Sequence, residues 1–155
     1  MSEFAGQALA RHPQLLVVGG RCDAYAGLGQ PFQPVIESVQ MLSGEWESLP
    51  WAKQLLGEDR ERLQQATPLA ARALVKYSPD LLDRFIDRSD LARRLPGRDE
   101  NQQSMPPWQK ALRTPATPVA LAGLESAVLF EQVSRFLGEI AHQKPLILIL
   151  DDLQW

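Results

Sequence analysis

The chain has 155 residues, of which 45% are hydrophobic and 23% charged, with a net charge of -3 and a pI near 5.4. That is enough apolar sequence for one globular domain and excludes a disordered or fibrous class. The 16 basic residues are scattered among acids, which argues against direct nucleic-acid binding.

No apolar run approaches the roughly 18 residues that span a bilayer, so no membrane contact is expected. Residues 1–4 carry no basic segment leading into an apolar one, so no signal peptide is read there. The single cysteine, Cys22, excludes an internal disulfide and suits a reducing, cytoplasmic compartment.

Residues 3–11 are predicted to form a helix, with Phe4, Ala5, Ala8 and Leu9 on one face. His12 and Pro13 stop it, because proline has no amide proton and restricts the residue before it. Leu15, Leu16, Val17 and Val18 form an unbroken apolar run, which fits a strand of a parallel sheet buried on both faces. Gly19, Gly20, Arg21 and Cys22 read as the start of a loop that continues through Gly27 and Gly29. Pro31 opens the next helix, whose apolar stripe is Val35, Ile36, Val39 and Leu42.

Residues 47–93 read as several short helices with three apolar clusters. The first is Trp51, Leu55 and Leu56; the second is Leu69, Leu74 and Val75. The third is Leu81, Leu82, Phe85 and Ile86, with Ser78, Pro79 and Asp80 as its start signal. Residues 96–118 hold Pro96, Pro106, Pro107, Pro115 and Pro118 with a polar run, and read as an irregular loop. A longer helix follows, on which Leu129, Phe130, Val133, Phe136, Leu137 and Ile140 repeat at helical spacing up to Lys144 and Pro145.

Five aliphatic residues, 146–150, then lead into Asp151 and Asp152. Ligands bind beyond the carboxyl ends of parallel strands, so acids placed there can meet a nucleotide. In a Walker B strand the first acid, Asp151, orients Mg²⁺, usually through water. The second, Asp152, polarises the water that attacks the γ-phosphate. The same pattern also describes a buried strand whose aspartates cap the following turn.

The segment 144–155, closing with Leu153, Gln154 and Trp155, resembles the Walker B region of AAA-type ATPase modules of the STAND class. These modules sit in large bacterial signalling regulators, including LuxR-type transcription activators and adenylate-cyclase-associated ATPases. Upstream, Gly20, Arg21 and Cys22, followed by residues 29–34, resemble the second strand and exit loop of the same modules. The resemblance covers about 2–42 and 124–155 and leaves the middle divergent.

It implies an α/β chain with a partial P-loop NTPase fold, in which two parallel strands, about 15–18 and 146–150, flank a mostly helical insertion. Residues 1–42 would supply the first helix, the second strand and the following helix. Residues 43–95 would be helical, 96–118 a Pro-rich loop, and 119–155 the last helix with the Walker B strand. Strand 146–150 would pair in parallel with 15–18 and leave one edge open, where a strand downstream of Trp155 would be its other neighbour in the parent.

The phosphate-gripping G-x-x-x-x-G-K-[ST] loop is missing, because no lysine follows a glycine: Lys53, Lys76, Lys110 and Lys144 follow Ala, Val, Gln and Gln. Met1 to Phe4 resemble the middle of the helix after that loop. The expectation is therefore a piece of an ATPase domain running from after Walker A to Walker B. Its partners would be the remainder of that domain, or further copies of itself.

The parent would use ATP and Mg²⁺ as a nucleotide-dependent switch in transcription or signalling. The chain itself would bind MgATP weakly or not at all, would be inactive, and would hold no cofactor-binding residue of its own. Two other readings stand beside this one: a non-enzymatic helical module whose last strand completes a partner's sheet, and a functionless truncated reading frame.

Asp80, Asp83, Asp87 and Asp90 fall at helical spacing but interleave with Arg84, Arg88, Arg93 and Arg94, which predicts a solvated charged face with an Asp80–Arg84 pair. His12 and His142 have no second ligand at metal spacing. Cys22 has no partner and reads as a structural thiol. The four tryptophans, 46, 51, 108 and 155, read as packing residues.

Overall fold

A computed structural model describes residues 2–22, 32–47, 49, 58–95, 105–114 and 126–151. Among these are six helices and two strands, which makes the chain α/β. In chain order they are α1 (Ser2–Arg11), β1 (Leu16–Arg21), α2 (Gln33–Leu42), α3 (Glu58–Tyr77), α4 (Arg88–Arg94), α5 (Pro107–Arg113), α6 (Ser126–Gln143) and β2 (Leu146–Asp151). The strands pair in parallel, with Leu16 opposite Leu146 and Arg21 opposite Asp151. No helix among the described residues is long and apolar enough to cross a membrane.

Strand β1 is longer than its apolar run suggests, and Gly19 and Gly20 lie inside it rather than in a loop. Both are there because backbone passes too close for a side chain. A Cβ at residue 20 would stand 1.8 Å from the Pro34 carbonyl oxygen, and one at residue 19 would stand 2.6 Å from that of Ile149. Glycine thus lets the start of α2 lie directly on the end of β1. Gly27 and Gly29 lie outside the described residues.

The sheet divides the apolar interior. On one face, Leu16 and Val18 join α2, α3, α5 and α6 in the main core, where Met41, Leu42, Leu74, Leu91, Phe136 and Ile140 are fully buried. On the other, Leu15 and Val17 pack against Ala5 and Leu9 of α1. β1 is therefore covered on both sides, as its sequence predicts. β2 is not: every residue in it is half-buried or exposed, because the helical layers are centred on β1.

Two expectations for the middle of the chain are overturned. Residues 58–77 are one helix of 20 residues with Pro68 inside it. Leu63, Ala66, Ala70, Ala73 and Leu74 make its buried stripe, and the small alanines let neighbouring helices approach. Pro68 deprives the Gln64 carbonyl of its intrahelical partner, but Gln64 lies on the exposed side. Leu69, Leu74 and Val75 thus belong to this long helix; Trp51, Leu55 and Leu56 lie outside the described residues.

Residues 78–87, read above as a helix, form turns instead. Ser78 Oγ donates to the Gln132 carbonyl at 2.8 Å, and the Asp83 amide donates to the Ile86 carbonyl at 2.8 Å. Asp83 takes a left-handed φ of 66° there. Leu81, Leu82 and Ile86 are still buried, so the cluster is core without being helical.

The aspartates do not share one solvated face either. Asp80 bonds the Gln132 side chain, Asp83 pairs with Arg88, Asp87 caps α4 and Asp90 pairs with Arg93. Arg84 lies 5.3 Å from the Phe85 ring centre, not on Asp80. The Pro-rich stretch is also more ordered than expected: Pro107 opens α5, and Leu112 is buried in the main core.

Candidate functional site

The two strands run in the same direction and end together, so the side chains at their carboxyl ends converge. Arg21 and Asp151 are register partners, and the guanidinium stands 3.7 Å from the carboxylate with both groups substantially exposed. The ladder continues one step beyond, where the Cys22 amide donates to the Asp151 carbonyl at 3.1 Å. The Cys22 thiol is half-buried among these backbone segments.

A second carboxylate lies at the same end, on α2. Glu37 is 8% exposed, and its two oxygens accept from the Arg21 backbone amide at 2.9 Å and the Gln33 side chain at 3.2 Å. One turn further along α2, Met41 Sδ accepts from the Gly19 amide at 3.4 Å. These contacts fix α2 against the outer edge of β1. Glu37 is thereby committed to structure, whereas Asp151 stays open to solvent.

Of the two acids read as a Walker B pair, Asp151 is the last residue of a parallel strand. Asp152 lies outside the described residues, as do Leu153, Gln154 and Trp155. A hydrated Mg²⁺ takes one or two carboxylates plus phosphate oxygens. Asp151, exposed at the strand end, fits one such ligand, and Glu37, with both oxygens engaged, does not fit as a second. Among the described residues no group of three His, Cys, Asp or Glu converges.

No site role was read from the sequence for Arg21, Gln33, Glu37 or Met41, although Arg21 and Gln33 lie in the segments that carry the resemblance. Glu37 had no readable signal, because it lies off the apolar stripe of Val35, Ile36, Val39 and Leu42, and its burial follows from the packing of α2 on the edge of β1. Arg21 had none, since its role depends on the register with β2. His12 and His142 are exposed at the ends of α1 and α6. Trp46 is buried with Arg60 above its ring, and Trp108 packs on the main core; Trp51 lies outside the described residues.

No protein-family model, curated protein or solved structure matches this chain.

Proposed function

We propose that the chain is part of an ATP-binding regulatory ATPase module with a partial P-loop NTPase fold, to which it contributes the Walker B strand. The observation that carries this reading is the placement of Asp151. An aliphatic strand pairs in parallel with β1 and delivers one exposed carboxylate at the shared carboxyl end. Open α/β sheets bind their ligands at that end.

In the parent protein Asp151 would be the Mg²⁺ ligand and Asp152 would position the attacking water. Mg²⁺, when bound, would supply positive charge to the phosphates. Within this chain Arg21 balances the Asp151 carboxylate, and α2 holds the Arg21 backbone through Glu37. Phosphate affinity resides chiefly in the G-x-x-x-x-G-K-[ST] loop, which the sequence lacks, so the remainder of the ATPase domain would supply it.

The output would be a nucleotide-dependent conformational change in transcription or signalling. A helical interaction module stands as the second reading, favoured by the incomplete cover of β2.

The test joins the chain to its flanking coding sequence and measures MgATP binding by calorimetry. The expected outcome is an in-frame phosphate loop upstream, measurable affinity, and about tenfold or greater loss on Asp151→Asn. Flanking sequence without such a loop sinks the reading. For the 155-residue chain alone, millimolar or tighter MgATP affinity that depends on Asp151 contradicts the role given to the missing loop.

A further inference from the structure

The two outer edges of the sheet are finished differently. Leu16 and Cys22 donate their amides to the Pro145 and Asp151 carbonyls. With the strands in register, Ile147, Ile149 and Asp151 turn their backbone groups toward β1, and Leu146, Leu148 and Leu150 turn theirs away. On the far edge of β1 the corresponding Gly19 and Arg21 amides are taken up by Met41 and Glu37 of α2. Among the described residues nothing hydrogen-bonds the outer edge of β2, and no third strand joins the sheet.

Protein sheets normally blunt such an edge with lysine, proline, a bulge or a covering element. Among the described residues β2 has none of these: it reads Leu-Ile-Leu-Ile-Leu before Asp151, and Leu148 is 37% exposed.

We propose that this edge is an interface between two copies of the chain, with β2 pairing antiparallel to β2 about a two-fold axis through Leu148. Charge selects this occupant and this direction. Antiparallel pairing sets Leu146 opposite Leu150 of the second copy. It also brings Lys144, just before the strand, alongside the Asp151 end of its neighbour. Parallel pairing would set lysine beside lysine and aspartate beside aspartate. The two-fold arrangement also closes on itself, because the plugged edges of β1 become the outer edges of a four-stranded sheet. Leu148 meets its own copy as a hydrogen-bonded pair, with Cα atoms about 5.5 Å apart. This inference does not rest on the nucleotide reading, in which a further strand of the ATPase domain would compete for the same edge.

The experiment is sedimentation velocity on the 155-residue chain over a wide concentration range, with two variants. The expected result is a monomer–dimer equilibrium. Leu148→Lys sets two like charges directly opposite one another and raises the dimer dissociation constant about tenfold or more. Cys22→Ser/Leu148→Cys forms a disulfide-linked dimer on oxidation, since the Cα separation suits that bond, and the Cys22→Ser/Ile147→Cys control does not. The second variant keeps the proposal testable if the lysine disturbs folding. A monomer at every concentration, open-ended growth, a dimer indifferent to Leu148→Lys, or equal cross-linking at 147 and 148 would each overturn it.

Discussion

Gly20 and the Pro34 carbonyl are pressed together so closely that a Cβ on residue 20 would stand 1.8 Å from the oxygen. The neighbour is backbone, at the first turn of a helix, and cannot swing aside as a side chain would. Gly20→Ala must therefore push α2 off β1 and disturb the Glu37 and Met41 contacts along the same edge. The expected loss is about 3 kcal/mol, at the upper end for overpacking. Gly138→Ala is the control, because nothing lies within 4 Å of the added methyl on α6. It should gain up to about 1 kcal/mol from helix propensity. Urea unfolding midpoints of the two variants decide the matter, and equal midpoints would remove the close-approach explanation.

That contact also shows where sequence reading runs out. The apolar runs at 15–18 and 146–150 announced two strands, and their parallel pairing is present, although only β1 is buried. The extension of β1 through Gly19, Gly20 and Arg21 was hidden, because glycine is read locally as a turn former. Its use here is set by a helix whose first residues lie more than ten positions away. Pro68 misled in the same way: it reads as a breaker, yet a long alanine-rich stripe packed on three other helices outweighs one lost hydrogen bond. The place of Asp151 at a strand end was legible, because the acid directly follows an unbroken aliphatic run. Arg21 was not, since only the register between distant strands makes it a partner.

Glu45 lies just beyond α2, and its Oε2 is buried without a hydrogen-bond partner among the described residues. Burial raises its pKa above the usual carboxylate value of 4.5; Arg94 nearby opposes this and Asp87 reinforces it. The folded state therefore holds the Glu45 proton more tightly than the unfolded chain does. Its contribution to stability is complete below the unfolded pKa and is lost as pH rises through the raised one. Glu45→Gln removes the charge, so it should raise the melting temperature at neutral pH and have less effect near pH 4. An equal shift at both pH values would show that the carboxylate is not strained by burial.

Asp87 has two roles that pull in opposite directions. Its Oδ1 accepts from the Asp90 amide at 2.8 Å and caps α4, while its charge adds to the difficulty of ionising Glu45. Asp87→Ala loses the cap, worth about 1 kcal/mol. Asp87→Asn keeps a capping oxygen and removes the repulsion, so it should be close to neutral or stabilising at pH 7. Thermal melts of both variants, repeated in a Glu45→Gln background, separate the two effects: the benefit of Asn over Asp should shrink when Glu45 is already neutral.

Among the described residues two carboxylates sit at the carboxyl end of the sheet, and their environments assign them different work. Glu37 is buried and accepts the Arg21 backbone amide on the strand edge. Glu37→Ala leaves that donor without its acceptor and should cost about 2 kcal/mol. Asp151 is exposed, and its ion pair with Arg21, at 3.7 Å in solvent, is of the kind worth about 1 kcal/mol or less. Asp151→Asn and Arg21→Gln should therefore leave the unfolding midpoint nearly unchanged. A large loss on Asp151→Asn would make this acid part of the scaffold and weaken its assignment to nucleotide chemistry. A small one, beside a large loss on Glu37→Ala, leaves Asp151 as the carboxylate whose position at the strand end is not required for stability.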